Sequence, residues 1–190
     1  MTERADAARN RQALLRAADA LLHDHEPGHI SLDQVAAAAG VGKGTVFRRF
    51  GSRTGLFQEL LAERAARLGA AMDSGPPPLG PGAPPGQRLV AFVDELALLA
   101  AENIRLISAH EQACAADPYS DPTYQRWHRH LRALLGELRP DGDADFLAHV
   151  VLGGYDGELV RRITAAGGMA RLRLAVRDLA LRVAGVDHVA

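Results

Sequence analysis

This chain of 190 residues holds one cysteine, Cys114, and one lysine, Lys43. A lone cysteine excludes an internal disulfide and suits a reducing compartment. No run of about eighteen apolar residues is available to span a bilayer. The first residues are charged and lack the apolar stretch of a secretory signal, so the expected location is the cytoplasm. Aromatic residues make up only 5% of the chain, whereas alanine, leucine and arginine abound. Sheets draw more heavily on aromatic and β-branched residues, so this composition points to an all-α protein. The formal net charge is −1, which gives no global field to attract nucleic acid. Charge is nevertheless concentrated locally. Residues 41–53 carry Lys43, Arg48, Arg49 and Arg53 and no acid, a footprint small enough for a binding site.

Proline and glycine are concentrated too. The stretch SGPPPLGPGAPPGQ, residues 74–87, has six prolines and four glycines and forbids a regular helix. It reads as a linker between an N-terminal part, 1–73, and a C-terminal part, 88–190. In the first part Leu14, Leu15, Ala18, Leu21 and Leu22 recur at helical spacing, which predicts a helix over about 9–25. Ser31-Leu32-Asp33-Gln34 has the form of a capping box and opens a two-turn helix over about 32–39, with Gly40 placed to end it. Another helix is expected over about 43–50, with Val46 and Phe50 on one face. After Gly51-Ser52 a fourth carries Leu56, Phe57, Leu60, Leu61, Ala65 and Leu68.

The segment AAAGVGKGTVFRRF, residues 37–50, poses a choice between two phosphate-binding devices. A Walker A loop needs a glycine five residues before its Gly-Lys pair and Ser or Thr directly after the lysine. Here those places hold Ala37 and Gly44, and the preceding LDQVAAAA is helical where a strand is required. The nucleotide-binding loop is excluded. Two short helices joined by a tight glycine turn form instead a helix-turn-helix, over about 32–50, whose second helix enters the major groove. Gly44 and Thr45 let the backbone approach a phosphate at a helix N-terminus. Arg48 and Arg49 point away from the Val46–Phe50 face, and Arg53 stands at the next helix start.

The run LDQVAAAAGVGKGTVFRRFGSRTGLF, within a match of about residues 9–68, resembles the DNA-binding domain of the TetR family of bacterial transcriptional regulators. The resemblance implies that Ser31, Gly44, Thr45, Phe47 and Arg53 approach the DNA backbone, with Lys43, Arg48 and Arg49 as base readers. Phe47 stands where the family usually has tyrosine, Arg49 where histidine is common, and Gly42 where serine often caps the recognition helix. It further implies a homodimer joined by a four-helix bundle, a palindromic double-stranded operator and a small-molecule effector that releases the DNA. Such a protein is a repressor rather than an enzyme and needs no cofactor.

The second part reads as a helical ligand-binding and dimerisation bundle, with helices expected over 87–101, 103–116, 122–138, 144–166 and 169–184. The last two are apolar over most of their circumference and need cover on several sides. A partner subunit would supply it, through Val150, Gly153, Gly157, Leu172, Val176 and Leu179. His110, Glu111 and Cys114 suit a pocket wall better than a metal site, because no third ligand is near in sequence. His128 and His130 are two apart and diverge by about 200° on a helix, so they do not chelate together. Trp127 either stacks a ligand or fills core. Asp156, four residues from both Leu152 and Val160, either pairs with an arginine or meets a polar ligand group. Two rivals remain: a regulator of the same type controlled by a protein partner, and an enzyme built on a helical bundle. The second would need a nucleophile–base pair or a metal cluster, and neither is evident along the chain.

Overall fold

The structure is a computed structural model that describes residues 2–25, 29–104, 106 and 118–186. Among the described residues every regular element is helical: α1 (Thr2–Asp24), α2 (Leu32–Ala39), α3 (Lys43–Phe50), α4 (Arg53–Ser74), α5 (Pro85–Glu102), a short 3-10 turn (Pro118–Ser120), α6 (Pro122–Leu138), α7 (Ala144–Gly153) and α8 (Gly157–Ala184). The helix expected over 103–116 lies almost wholly outside the described residues. The chain divides into two compact units, 1–63 and 64–190, and the division falls inside α4.

In the first unit the helix ends follow from local chemistry. The Ser31 hydroxyl accepts from the Gln34 N–H at 3.2 Å, and the Gln34 side chain accepts from the Ser31 N–H at 2.8 Å. Two backbone donors left over at the start of α2 are thereby satisfied. Gly40 ends α2 at φ +69°, a left-handed conformation in which a Cβ would be strained. Leu14, Leu15 and Ala18 of α1, Ile30, Val35 of α2, Val46 of α3 and Leu56 and Leu60 of α4 are almost completely buried. Together they form a small apolar core. Arg11 of α1 donates to Glu59 of α4 at 2.8 and 2.5 Å and lies 3.6 Å from Glu63.

The second unit is built on α5, which packs most extensively along α8. Its core runs through Leu89, Phe92, Val93 and Leu96 of α5, Leu131, Leu134 and Leu135 of α6, Ala148 and Val151 of α7, and Leu172, Val176 and Ala180 of α8. Within this apolar contact Asp94 is buried and faces Arg173 and Arg177 of α8, so a carboxylate that would be costly alone is paired twice. The Tyr155 hydroxyl donates to the Val93 carbonyl at 2.8 Å and fixes the chain between α7 and α8 to α5.

Four expectations need correction. The helix predicted over 144–166 is broken: α7 stops at Gly153, and Asp156 starts α8 by accepting from the Leu159 N–H at 2.9 Å. Asp156 is therefore an exposed N-cap rather than a carboxylate on an apolar face. The break also separates Gly153 from Gly157, which no longer share one helix face. Finally, Gly157, Leu172 and Val176 are buried within this chain and cannot be the surface that a partner covers. Leu174, half a turn from Leu172 and Val176, faces outward instead and is 66% exposed. Between its two stretches α8 is kinked at Gly168, where φ is +69°.

His128 and His130 point into different surroundings, as their spacing requires. The His130 ring meets Phe92 edge-on at 5.1 Å between centroids. Burial, aided by the nearby Arg88 charge, lowers its pKa from 6.5 to about 4. A histidine kept neutral by the fold contributes stability that is present above its unfolded pKa and lost as pH falls from 6.5 towards 4. Urea unfolding at about pH 7 and about pH 5 should show a smaller acid loss for His130→Leu than for the unaltered chain. Equal losses would show that the acid limb has another origin.

Candidate nucleic-acid interface

The glycine turn between α2 and α3 and the burial of two α3 side chains decide what α3 presents outward. Val46 is fully buried and Phe50 is 8% exposed, which locks the rotation of the helix about its axis. Lys43, Gly44, Phe47, Arg48 and Arg49 are left exposed, and Thr45 is half-buried. Phe47 is 58% exposed, an unusual place for a phenyl ring that nothing covers.

The start of α3 is open in a second sense. Gly42 is its N-cap, in extended conformation, and offers no side-chain acceptor to the first turn. A Cβ added to Gly42 or Gly44 would meet nothing within 4 Å. The chain's own packing therefore does not require glycine at either place. A surface from outside that had to come close to the backbone would require it. Arg53, exposed, is the first residue of α4, and the Ser52 hydroxyl accepts from the Gly55 N–H at 3.0 Å to cap that helix. Ser31 is exposed too, with its hydroxyl already engaged by Gln34 at both its donor and one acceptor position.

One member of the site escaped the sequence reading. Asp33 of α2 places its carboxylate 2.9 Å from Lys43 Nζ, so the charge of the 41–53 segment is partly offset from the neighbouring helix. Both side chains are well exposed, and such a pair is worth about 0–1 kcal/mol. The pair adds little to the fold and occupies the lysine. Any base reading by Lys43 has to release Asp33 first.

The residues expected to line a pocket are scattered. His110, Glu111 and Cys114 lie outside the described residues. Trp127 is half-buried and packs against the core of the second unit, with its Nε1 buried and without a hydrogen-bond partner among the described residues. Among the residues expected to face a partner, Val150 and Leu179 are half-buried and Gly153 is exposed. No helix of the described residues is long and apolar enough to cross a membrane.

Comparison with known proteins supports the resemblance. Residues 14–60 match the model of bacterial regulatory proteins, tetR family. No curated protein matches the chain. Among solved structures, a TetR transcription regulator from Haloarcula marismortui aligns with a TM-score of 0.62 at 18% identity, covering 94% of this chain and 97% of that one. A TetR transcriptional regulator from Streptomyces coelicolor aligns at 0.57 and 24% identity, covering 95% and 99%. NalD, the secondary repressor of the MexAB-OprM multidrug efflux pump in Pseudomonas aeruginosa, aligns at 0.53 and 20% identity, covering 94% and 96%. At these identities the likeness is one of fold. It extends over nearly the whole chain, and the all-α architecture expected from the sequence is borne out.

The Asp33–Lys43 pair yields a prediction. Asp33→Asn should change stability by no more than about 1 kcal/mol, the upper end for an exposed pair. It should strengthen binding to duplex DNA, because it removes a negative charge and frees Lys43. Thermal melting and fluorescence anisotropy with a labelled duplex at low salt check the two halves, and weaker DNA binding would show that Asp33 positions the site.

Proposed function

We propose that this chain, a TetR-type regulator by its N-terminal pattern and its fold, binds operator DNA through α3 as a homodimeric transcriptional repressor. A small-molecule ligand in the second unit releases it. The observation that carries the reading is the outer face of α3, where Phe47, Arg48 and Arg49 stand exposed beside two glycines that leave the backbone open. With α3 in the major groove, Arg48 is the leading base reader, with Arg49 beside it and Lys43 after release from Asp33. Ser31, Gly44, Thr45, Phe47 and Arg53 meet the flanking phosphates and sugars.

Dimerisation is supported by large apolar side chains that the chain itself leaves uncovered. Phe146 of α7 is 62% exposed and Leu174 of α8 is 66% exposed. With the half-buried Val150 and Leu179 they offer apolar surface to a second copy, and two copies present two recognition helices to an inverted repeat. Ligand control is supported by two polar atoms inside the second unit. Trp127 Nε1 and His130 Nε2, three residues apart on α6, are buried without hydrogen-bond partners among the described residues, a costly state that a polar ligand would relieve. Control follows if the ligand binds more tightly to a conformation whose two α3 helices are misspaced for the operator. Its differential affinity sets how much DNA affinity is lost.

Single substitutions at the proposed interface should separate roles. Arg53→Ala should weaken binding to operator and scrambled duplex alike and reduce the salt slope by about one per phosphate contact, hence about two per dimer. Arg48→Ala should cost about 1–3 kcal/mol per half-site and relax preference at one base pair. Anisotropy titrations at several salt concentrations report both quantities. Unchanged affinity in both variants would remove α3 from the interface.

A further inference from the structure

His128 of α6 was set aside as a chelator because His130 points elsewhere. The structure supplies it with other neighbours. His149, on α7, lies with its ring centroid 4.1 Å from that of His128, the rings tilted by 33°. Asp145, one turn earlier on α7, brings its Oδ1 to 3.7 Å from His128 Nε2. One donor atom from each of these three side chains lies within 4.8 Å of the others. His128 and His149 also line a pocket of about 350 Å³, together with Tyr124.

From this juxtaposition we propose that His128, Asp145 and His149 form a binding site for a divalent transition-metal ion of the zinc class, bridging α6 and α7. Two imidazoles and one carboxylate are the donors that such ions take in preference to magnesium or calcium, which prefer oxygen. Bonds of about 2.0–2.1 Å around a tetrahedral ion set its donors about 3.3–3.4 Å apart, so small side-chain rotations close the cluster onto an ion. The surroundings are those of a metal site. Tyr124 Oη lies 2.5 Å from His149 Nδ1 and orients the ring; in the tautomer whose Nδ1–H donates to Oη, Nε2 carries the lone pair for the ion. The side chain of His128 is only 13% exposed and stacks on Tyr124, so its rotamer is held by packing.

Two contacts must yield when the ion binds. His128 Nε2 donates to the Asp145 carbonyl at 3.1 Å, and Arg132 Nη1 lies 3.6 Å from Asp145 Oδ1. The first is lost when Nε2 becomes a ligand. The second is an exposed, weak ion pair. A purely structural stack of rings would explain the histidines and Tyr124 together. It would not by itself bring the Asp145 carboxylate within reach of both imidazoles. The site stands independently of DNA binding and of the ligand discussed above.

The test uses the full-length protein, stripped of metal with a chelator and titrated with Zn2+ by calorimetry and with Co2+ by visible absorption. One ion per chain should bind with micromolar or tighter affinity, and the Co2+ complex should show the strong visible bands of a low-coordinate site. Asp145→Asn, at an exposed position, should leave the apo protein's circular dichroism and melting unchanged while weakening Zn2+ binding about tenfold or more. His128→Gln and His149→Gln should abolish the stoichiometric step, whereas His25→Gln, at an exposed histidine on α1's C-terminal side, should not. Absence of saturable binding, or binding that survives all three site substitutions unchanged, would overturn the proposal. Should the histidine variants fold poorly, the Asp145→Asn titration decides alone.

Discussion

The rotational phase of α3 governs everything the N-terminal unit offers to a partner. That helix has only eight residues, too few to be stable alone, and it is held by the burial of Val46 and Phe50 and by its packing on α2. With those two positions inward, the helical repeat turns Phe47 and Arg48 outward and leaves the glycine-flanked N-terminus open. The capping box at Ser31 and the left-handed Gly40 set where α2 begins and ends, and hence where α3 starts. The Arg11 contacts to Glu59 and Glu63 tie α1 to α4 around the same core. These groups determine which side chains of α3 face outward.

In the second unit a comparable role falls to the contact between α5 and α8. Its apolar length is interrupted by Asp94, which is tolerated because Arg173 and Arg177, one turn apart, both reach it. Removing one partner of such an arrangement costs more than replacing it whole, and both arginines reach Asp94 in one register of α8 on α5. That register turns Leu172 and Val176 inward and Leu174 outward. The apolar surface left over is therefore a consequence of the internal packing, and Phe146 on α7 adds to it.

Legibility from sequence followed the range of the interactions. The bounds of α2 and α3 were readable because capping residues and glycines act over a few residues. The extent of α1 was underread at its start, where charged residues carry no periodic signal. The break at Gly154–Asp156 was missed because the apolar run through Val150–Leu152 outweighed a Gly-Gly and an aspartate that together end one helix and cap the next. The inward face of α8 was misjudged for a different reason. An alanine- and leucine-rich helix with arginines on several sides has no single polar face, and Arg173 and Arg177 turn out to serve a buried carboxylate. The Asp33–Lys43 pair and the meeting of His128 with Asp145 and His149 join separate helices, so no spacing rule along the chain could bring them forward.

The central claim is that α3 recognises DNA in a two-fold arrangement, and selection of bound duplexes from a random-sequence library by the purified protein tests it most directly. The account predicts enrichment of an inverted repeat whose half-sites lie about one helical turn, 10–10.5 base pairs, or a multiple of it apart. Failure to enrich any common sequence above the starting library, at salt low enough to permit binding, would contradict it.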